Sequence, residues 1–260
     1  MSFASRDGIR LQYALQGRPG APVVVLSNSL GTTLDMWDPQ MPALLEHFRV
    51  LRYDTRGHGG SGVPAQPFGM AELGADVLAM MDDAGVEQAH FCGLSMGGMT
   101  GIWLAHHHPE RFGRFVLANT AALIGPESVW NTRIERVRAE GMAAIADGVL
   151  ARWFTQPWLA GDPSRMAPVR AMLENTAPAG YTANCAAVRD ADLRGLLNGI
   201  AAPVLVIAGT HDAATTPEQG QALAQGIPGA DYLALDAAHL SNWELPDAFS
   251  GAVIRFLSQA

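Results

Sequence analysis

The stretch Ala89-His90-Phe91-Cys92-Gly93-Leu94-Ser95-Met96-Gly97-Gly98 governs the reading of the whole chain. Ala89 to Gly93 is a short apolar run of strand character, and Ser95 to His107 follows with the make-up of a helix. Across the junction lies Gly93-Leu94-Ser95-Met96-Gly97, a G-x-S-x-G pattern. At the Gly and Ser frequencies of this chain such a match arises by chance in roughly one chain in eight, so the spacing alone is weak. Its position carries more weight. A serine at the apex of a sharp strand-to-helix turn projects its hydroxyl from the sheet edge, and glycines two residues to either side let strand and helix close around it. Gly98 adds room. The alternative is a glycine-rich helix start with Ser95 as an ordinary N-cap.

Outward from this junction, strands and helices alternate. Ile9 to Gln16 alternates apolar with polar residues, Val23 to Leu26 is a continuous apolar run, and Val50 to Tyr53 follows a helix-like Met41 to His47. Met70 to Ala84 places Leu73, Val77, Leu78 and Met81 at helical spacing and ends at Gly85, which predicts a helix feeding the Ala89 strand. Downstream come strands at Arg114 to Ala118, Val204 to Ala208 and Asp231 to Leu235, with helices at Pro217 to Gln225 and Pro246 to Leu257. Continuous apolar strands separated by amphipathic helices predict a mostly parallel sheet covered on both faces. Residues 121–196 break the alternation with helical periodicity and no convincing strand, and read as an inserted helical cap.

Composition removes several chemistries. All 17 basic residues among the 260 are arginine, which excludes Schiff-base and pyridoxal phosphate enzymes, Walker-A loops and Ser-Lys hydrolases. A formal net charge of −8 argues against nucleic acid, whose phosphates would be repelled. No apolar run approaches the roughly 18 residues of a membrane span. The opening Met1-Ser2-Phe3-Ala4-Ser5-Arg6-Asp7 lacks an apolar leader core, so the expected compartment is the cytoplasm. Cys92 and Cys185 suit a reducing environment and are too few for a tetrahedral zinc site. Residues 121–196 hold eight arginines and eight acids, against nine arginines and 17 acids elsewhere. An anionic ligand would find the insertion the less hostile wall.

A serine hydroxyl needs a histidine base, itself oriented by a buried carboxylate. In doubly wound hydrolases the order along the chain is Ser, acid, His. Only His211 and His239 follow the insertion, and His239 sits just past the Asp231 strand, ahead of the last helix. His239 is the expected base and Asp212, past the Val204 strand, its acid. Asp236 stands only three residues before His239 and would have to fold back to reach it. The loop Ser27-Asn28-Ser29-Leu30-Gly31 follows the Val23 strand, where such enzymes keep one oxyanion donor, so the backbone N–H groups of Leu30 and Met96 are the expected pair. Gly57-His58-Gly59-Gly60-Ser61-Gly62 satisfies G-x-G-x-x-G, but Pro64 and Pro67 follow it instead of a helix, which argues against a dinucleotide site. His106-His107-His108 cannot share one metal ion, because consecutive helical residues face different ways; a helix C-terminus favouring cationic side chains accounts for them better.

With these residues in place the chain resembles the α/β-hydrolase superfamily over its whole length. Within it, Leu26-Ser27-Asn28-Ser29-Leu30-Gly31, Met36-Trp37-Asp38-Pro39-Gln40, Arg52-Tyr53-Asp54-Thr55-Arg56-Gly57-His58-Gly59, Trp130-Asn131-Thr132-Arg133 and Ala238-His239-Leu240-Ser241-Asn242 look like 3-oxoadipate enol-lactonases. Asn28-Ser29 departs from the His-Gly of most superfamily members. The resemblance implies an α/β-hydrolase fold with a mostly parallel eight-stranded sheet, a core of residues 1–120 and 197–260, and a cap of residues 121–196. It implies opening of the enol-lactone of 3-oxoadipate in the β-ketoadipate pathway, with no cofactor, no metal and a small anionic lactone as the binding partner. A carboxylesterase, a C–C hydrolase or a cofactor-free haloperoxidase would use the same triad, and a non-catalytic binding protein could keep the fold. An anionic substrate needs a local cation, which in a chain without lysine means arginine. Arg133, three residues after Trp130, is the first choice, with Arg136, Arg138 and Arg152 as alternatives; a solvated Arg133 paired with Glu127 or Glu140 is the competing picture.

Overall fold

The computed structural model describes residues 1–259. Among these residues eight strands form one sheet: β1 (Ser2–Arg6), β2 (Ile9–Gln16), β3 (Val23–Ser27), β4 (Arg49–Tyr53), β5 (Ala89–Leu94), β6 (Phe112–Ala118), β7 (Val204–Gly209) and β8 (Asp231–Leu235). Their spatial order is β1-β2-β4-β3-β5-β6-β7-β8. From β4 to β8 every pairing is parallel, whereas β1 with β2 and β2 with β4 run antiparallel. The central strands are buried on both faces, and Val24, Val25, Leu26, Phe91, Cys92, Val116 and Leu117 have no exposed surface. That is why they read as unbroken apolar runs.

The sequence reading missed β1. Only Ala4 of its five residues is buried, so its composition carries no hydrophobic signal. What makes it a strand is the turn behind it: Asp7 and Gly8 have φ of 52° and 74°, the left-handed pair of a tight hairpin for which Asp-Gly is favoured. The hairpin folds Ser2–Arg6 onto β2 in continuous register from Ser2 opposite Tyr13 to Arg6 opposite Ile9.

Among the described residues eleven α-helices accompany the sheet. The first three are α1 (Met41–His47), α2 (Met70–Asp83) and α3 (Met96–His107); the last three are α9 (Pro217–Gly226), α10 (Ser241–Glu244) and α11 (Pro246–Leu257). Between β6 and β7 lie the other five, α4 (Glu127–Glu140), α5 (Ala143–Trp153), α6 (Gln156–Leu159), α7 (Met166–Glu174) and α8 (Pro178–Arg189). Two ties join these five to the core near β8. Leu240 N–H donates to the Trp153 carbonyl at 3.0 Å, and the Glu244 carboxylate accepts from Thr155 N–H and hydroxyl, both at 2.7 Å, and from Ala238 N–H. No helix among the described residues is long and apolar enough to cross a membrane.

The order of the sheet places the site. The chain leaves β3 to build β4 on one side and then returns to place β5 on the other, so β3 and β5 flank the reversal of strand order, where open α/β sheets leave a crevice at their carboxyl ends. The carboxyl ends of β3, β5, β6, β7 and β8 stand side by side, followed by Asn28, Ser95, Asn119, Thr210 and Asp236.

Candidate active site

Ser95 has φ 59° and ψ −117°, a strained backbone for a residue with a Cβ. Its neighbours hold it there. Ser95 N–H donates to the Ala118 carbonyl at 2.9 Å, while the Ser95 carbonyl accepts from Met99 N–H at 3.0 Å and from the Thr120 hydroxyl at 2.7 Å. The flanking glycines are demanded by close approach. A Cβ on Gly93 would lie 2.2 Å from the Gly97 carbonyl oxygen, and one on Gly97 would lie 2.2 Å from that of Ser27. The turn therefore brings β5, α3 and the end of β3 within backbone contact of one another. The helix begins at Met96, one residue later than its sequence pattern suggests, with Ser95 as its N-cap but without a side-chain capping bond. The Ser95 hydroxyl is left for other work.

His239 Nδ1 donates to Asp212 Oδ2 at 2.8 Å, and both side chains are buried. The same carboxylate accepts at Oδ1 from Ala214 N–H (2.8 Å) and Thr215 N–H (2.9 Å), and at Oδ2 from the Thr215 hydroxyl (2.8 Å) and the Asn119 amide (3.1 Å). Burial pushes the Asp212 carboxyl up, but the charge and hydrogen bond of His239, with the donors of Thr215 and Asn119, outweigh it and hold its pKa below the usual carboxylate value. Asp212 is thus kept as an anion beneath the imidazole. Asp236 pairs instead with His211 Nε2 at 2.8 Å on the exposed surface.

Nothing in the sequence marks Asn119 and Thr215 as hydrogen-bond donors to Asp212. Asn119 adopts φ 45° just past β6, and its amide also donates to the Ala238 carbonyl while its oxygen accepts from the Ser241 hydroxyl at 2.6 Å. One side chain thereby spans the acid loop and the histidine loop. The signal available was its place at the end of β6, where an acid would otherwise stand.

In the loop after β3, Asn28 fills the departure from His-Gly by donating to the Tyr53 carbonyl at 2.6 Å and accepting from the Trp37 indole at 2.9 Å. The N–H groups of Ser29, Gly31 and Thr32 are taken by Met36 Sδ, His58 Nε2 and the Ser29 carbonyl. Among the described residues, no acceptor is assigned to the Leu30 N–H that they bracket. Met96, first residue of α3, has an N–H with no acceptor inside the helix.

Residues 57–62 open no helix and instead brace this loop. His58 is buried, accepts from Gly31 N–H at 3.0 Å, and is pushed down to about 4 by burial, with the Arg56 carbonyl opposing weakly. An unfolded chain takes up this proton near pH 6.5 while the native one refuses it until about 4. Stability is therefore unaffected above pH 6.5 and falls as pH drops from 6.5 towards 4, by about 3 kcal/mol in all. Urea unfolding across that window should show the slope in the wild type and a shallower one in His58→Gln; equal slopes would remove His58 as its source.

Leu30, Ser95, Trp130, Arg133 and His239, singled out in sequence, line one cavity of about 250 Å³, with Arg152, Trp153, Tyr181 and Thr215 beside them; Asp212 holds His239 by its Nδ1 but does not line the cavity. Met96 does not line it, and its side chain is buried. Trp130 donates its indole N–H to the Ile124 carbonyl at 2.6 Å, and the Arg133 guanidinium lies over its ring at 4.8 Å. Arg133 is paired with neither Glu127 nor Glu140: Glu127 accepts from Asn131, and Glu140 faces Arg136 at 3.7 Å. Among the described residues Arg133 and Arg152 have no ion-pair partner, while Arg189 and Arg194 each have one and Arg170 has two. Burial, and then the charge of Arg133, depress the Arg152 pKa. Two cations share a wall of the cavity with no anion to offset them. Phe154 and Trp158 stack on each other at 3.9 Å outside it. No group of three His, Cys, Asp or Glu side chains among the described residues could hold a metal ion; His106, His107 and His108 each bond separately to Leu196, Trp103 and Glu110.

A sheet in this order, with a serine turn and a His–Asp pair at adjacent strand ends, defines an α/β hydrolase. The α/β hydrolase fold family matches residues 22–246, and the chain belongs to it. It is a hydrolase that resembles 3-oxoadipate enol-lactonase: it is 43% identical over 245 residues to 3-oxoadipate enol-lactonase 2 of Acinetobacter baylyi, covering 94% of this chain and 92% of that one. The crystal structure of the enol-lactonase from Burkholderia xenovorans LB400 superposes with TM-score 0.98 at 50% identity, over 99% of this chain and 100% of that one. A thermophilic esterase from Thermogutta terrifontis, solved with malate bound, gives TM-score 0.91 at 27% identity, over 98% of this chain and 97% of the other.

Proposed function

We propose that this protein opens the enol-lactone of 3-oxoadipate by an acyl-enzyme mechanism on Ser95, His239 and Asp212. The observation that carries the substrate is the pair of arginines, Arg133 and Arg152, in the cavity that also holds Ser95 and His239. A pocket for neutral esters has no use for two mutually repelling guanidiniums, whereas a carboxylate between them removes the repulsion and gains charge-assisted hydrogen bonds.

With its free carboxylate on Arg133 and Arg152 and one ring face on Trp130, the lactone presents its carbonyl to Ser95. The Ser95 oxygen attacks as His239 takes the hydroxyl proton, and the Leu30 and Met96 N–H groups receive the developing oxyanion. Asp212 stabilises the imidazolium. Collapse breaks the ring C–O bond; the leaving enolate takes the proton from His239 and tautomerises to the ketone, still tethered through the acyl group. His239 then accepts a proton from water, which attacks the ester carbonyl, and collapse returns that proton to Ser95 and frees the dicarboxylate. No step calls for a cofactor. We read residues 121–196 as a cap over the site, and the cytoplasm and the β-ketoadipate branch of aromatic degradation as the setting.

Arg133→Ala should lower kcat/KM for the anionic lactone by about 10- to 10²-fold, the range for one charge-assisted hydrogen bond, and Arg133→Ala with Arg152→Ala by more. The quantity to measure is the ratio of kcat/KM for lactone to that for p-nitrophenyl acetate at low salt. A ratio unchanged in both variants would remove the arginines from substrate binding.

A further inference from the structure

A second cavity, of about 320 Å³, opens between α4 and α5. It shares Val129, Arg133, Val149 and Arg152 with the catalytic cavity, so these four side chains form a wall common to both spaces. A third guanidinium, Arg136, lines the outer space; its carboxylate neighbour Glu140 is 3.7 Å away in an exposed pair that solvent screens. Neither cavity is lined by an acid. On a chain of net charge −8, three arginines gathered on this shared wall and the outer space beside it are a local reversal of sign.

Gly148 is an independent observation. It lies in the interior of α5, where glycine is disfavoured relative to alanine, and no packing demands it: an added Cβ would meet no atom within 4 Å. What the missing side chain leaves is open volume in the outer cavity, which Gly148 lines.

We propose that the outer cavity is a carboxylate-binding portal. Arg136 captures a small carboxylate from solvent and passes it along Arg133 and Arg152 into the catalytic cavity, and the ring-opened dicarboxylate leaves by the same path. The proposal rests on the reading above only for the charge of the ligand. Its physical basis is electrostatic: a basic recess on a chain of net negative charge raises the local concentration of anions and their rate of arrival, and salt weakens both effects.

The test uses labelling of Ser95, which needs access and a nucleophile but no particular substrate. Second-order labelling rates would be compared for a neutral alkyl fluorophosphonate and for one ending in a carboxylate, at low and high NaCl. In the wild type, salt should slow the carboxylate probe far more than the neutral one. Arg136→Glu should cut the carboxylate-to-neutral rate ratio several-fold at low salt and flatten its salt dependence. Gly148→Phe, placed where there is room for a ring, should slow both probes about tenfold or more while circular dichroism and melting confirm a folded chain. Wild-type rates for both probes in folded Gly148→Phe, or an unaltered ratio in Arg136→Glu, would overturn the portal. Failure of the wild type to turn over the enol-lactone would instead sink the substrate assignment and leave these labelling results standing.

Discussion

Ser95→Ala is expected to abolish covalent labelling by a serine-directed phosphonate and to lower kcat by about 10⁶, the scale on which hydrolases lose activity with their nucleophile. His239→Ala should be comparably damaging, because nucleophile and base act as one unit. The reason lies in the turn. Strand, helix and the preceding loop meet so closely that the backbone at residue 95 has a single position, fixed by Ala118, Thr120 and Met99. The strain at φ 59° gives a companion result: Ser95→Gly should be as inactive as Ser95→Ala and yet more stable by about 1 kcal/mol, since glycine adopts this conformation at little cost. Near wild-type turnover in Ser95→Ala would rule out the acyl-enzyme route.

Asp212→Asn comes next, with an expected loss of about 10⁴ in kcat. The carboxylate accepts from Ala214, Thr215 twice, Asn119 and His239. An amide has a single acceptor oxygen, so its NH₂ would confront donors on one side or the other. If the oxygen stays with the Ala214 and Thr215 N–H groups, the NH₂ faces His239 and favours the tautomer that cannot accept the Ser95 proton. Asp236→Asn should be nearly silent, because among the described residues Asp236 engages the exposed His211 and Thr210 and not His239. The reverse outcome, a silent Asp212→Asn and a damaging Asp236→Asn, would transfer the role of acid.

Both variants act on residues legible in the sequence, and the reason is instructive. Ser95, Asp212 and His239 each follow a strand recognisable as an apolar run, so chain order and strand ends single them out as candidates. Trp130 and Arg133 could be placed on one helix by spacing. Arg152, on α5, could be put opposite Arg133 only by tertiary packing, which periodicity does not carry. Thr215 is hidden for a related reason, since a hydroxyl has no distinctive pattern; Asn119 is marked by its place at the end of β6, but its bonds to the acid and histidine loops are visible only once β6, β7 and β8 lie side by side. His58 lies within a glycine-rich run that has the spacing of a nucleotide loop but not its helix. Its bond to Gly31 connects segments 27 residues apart, beyond what local sequence can indicate. β1 was lost because an edge strand with one buried residue has no alternation to detect.

The most direct measurement of the central claim is steady-state hydrolysis of the enol-lactone of 3-oxoadipate by the purified wild-type protein, set beside p-nitrophenyl acetate under the same conditions. The account predicts kcat/KM for the lactone within the range of efficient enzymes, about 10⁴ to 10⁸ M⁻¹s⁻¹, and at least tenfold above the neutral ester, with the Ser95→Ala protein inert towards both. Turnover of the neutral ester without turnover of the lactone would contradict it.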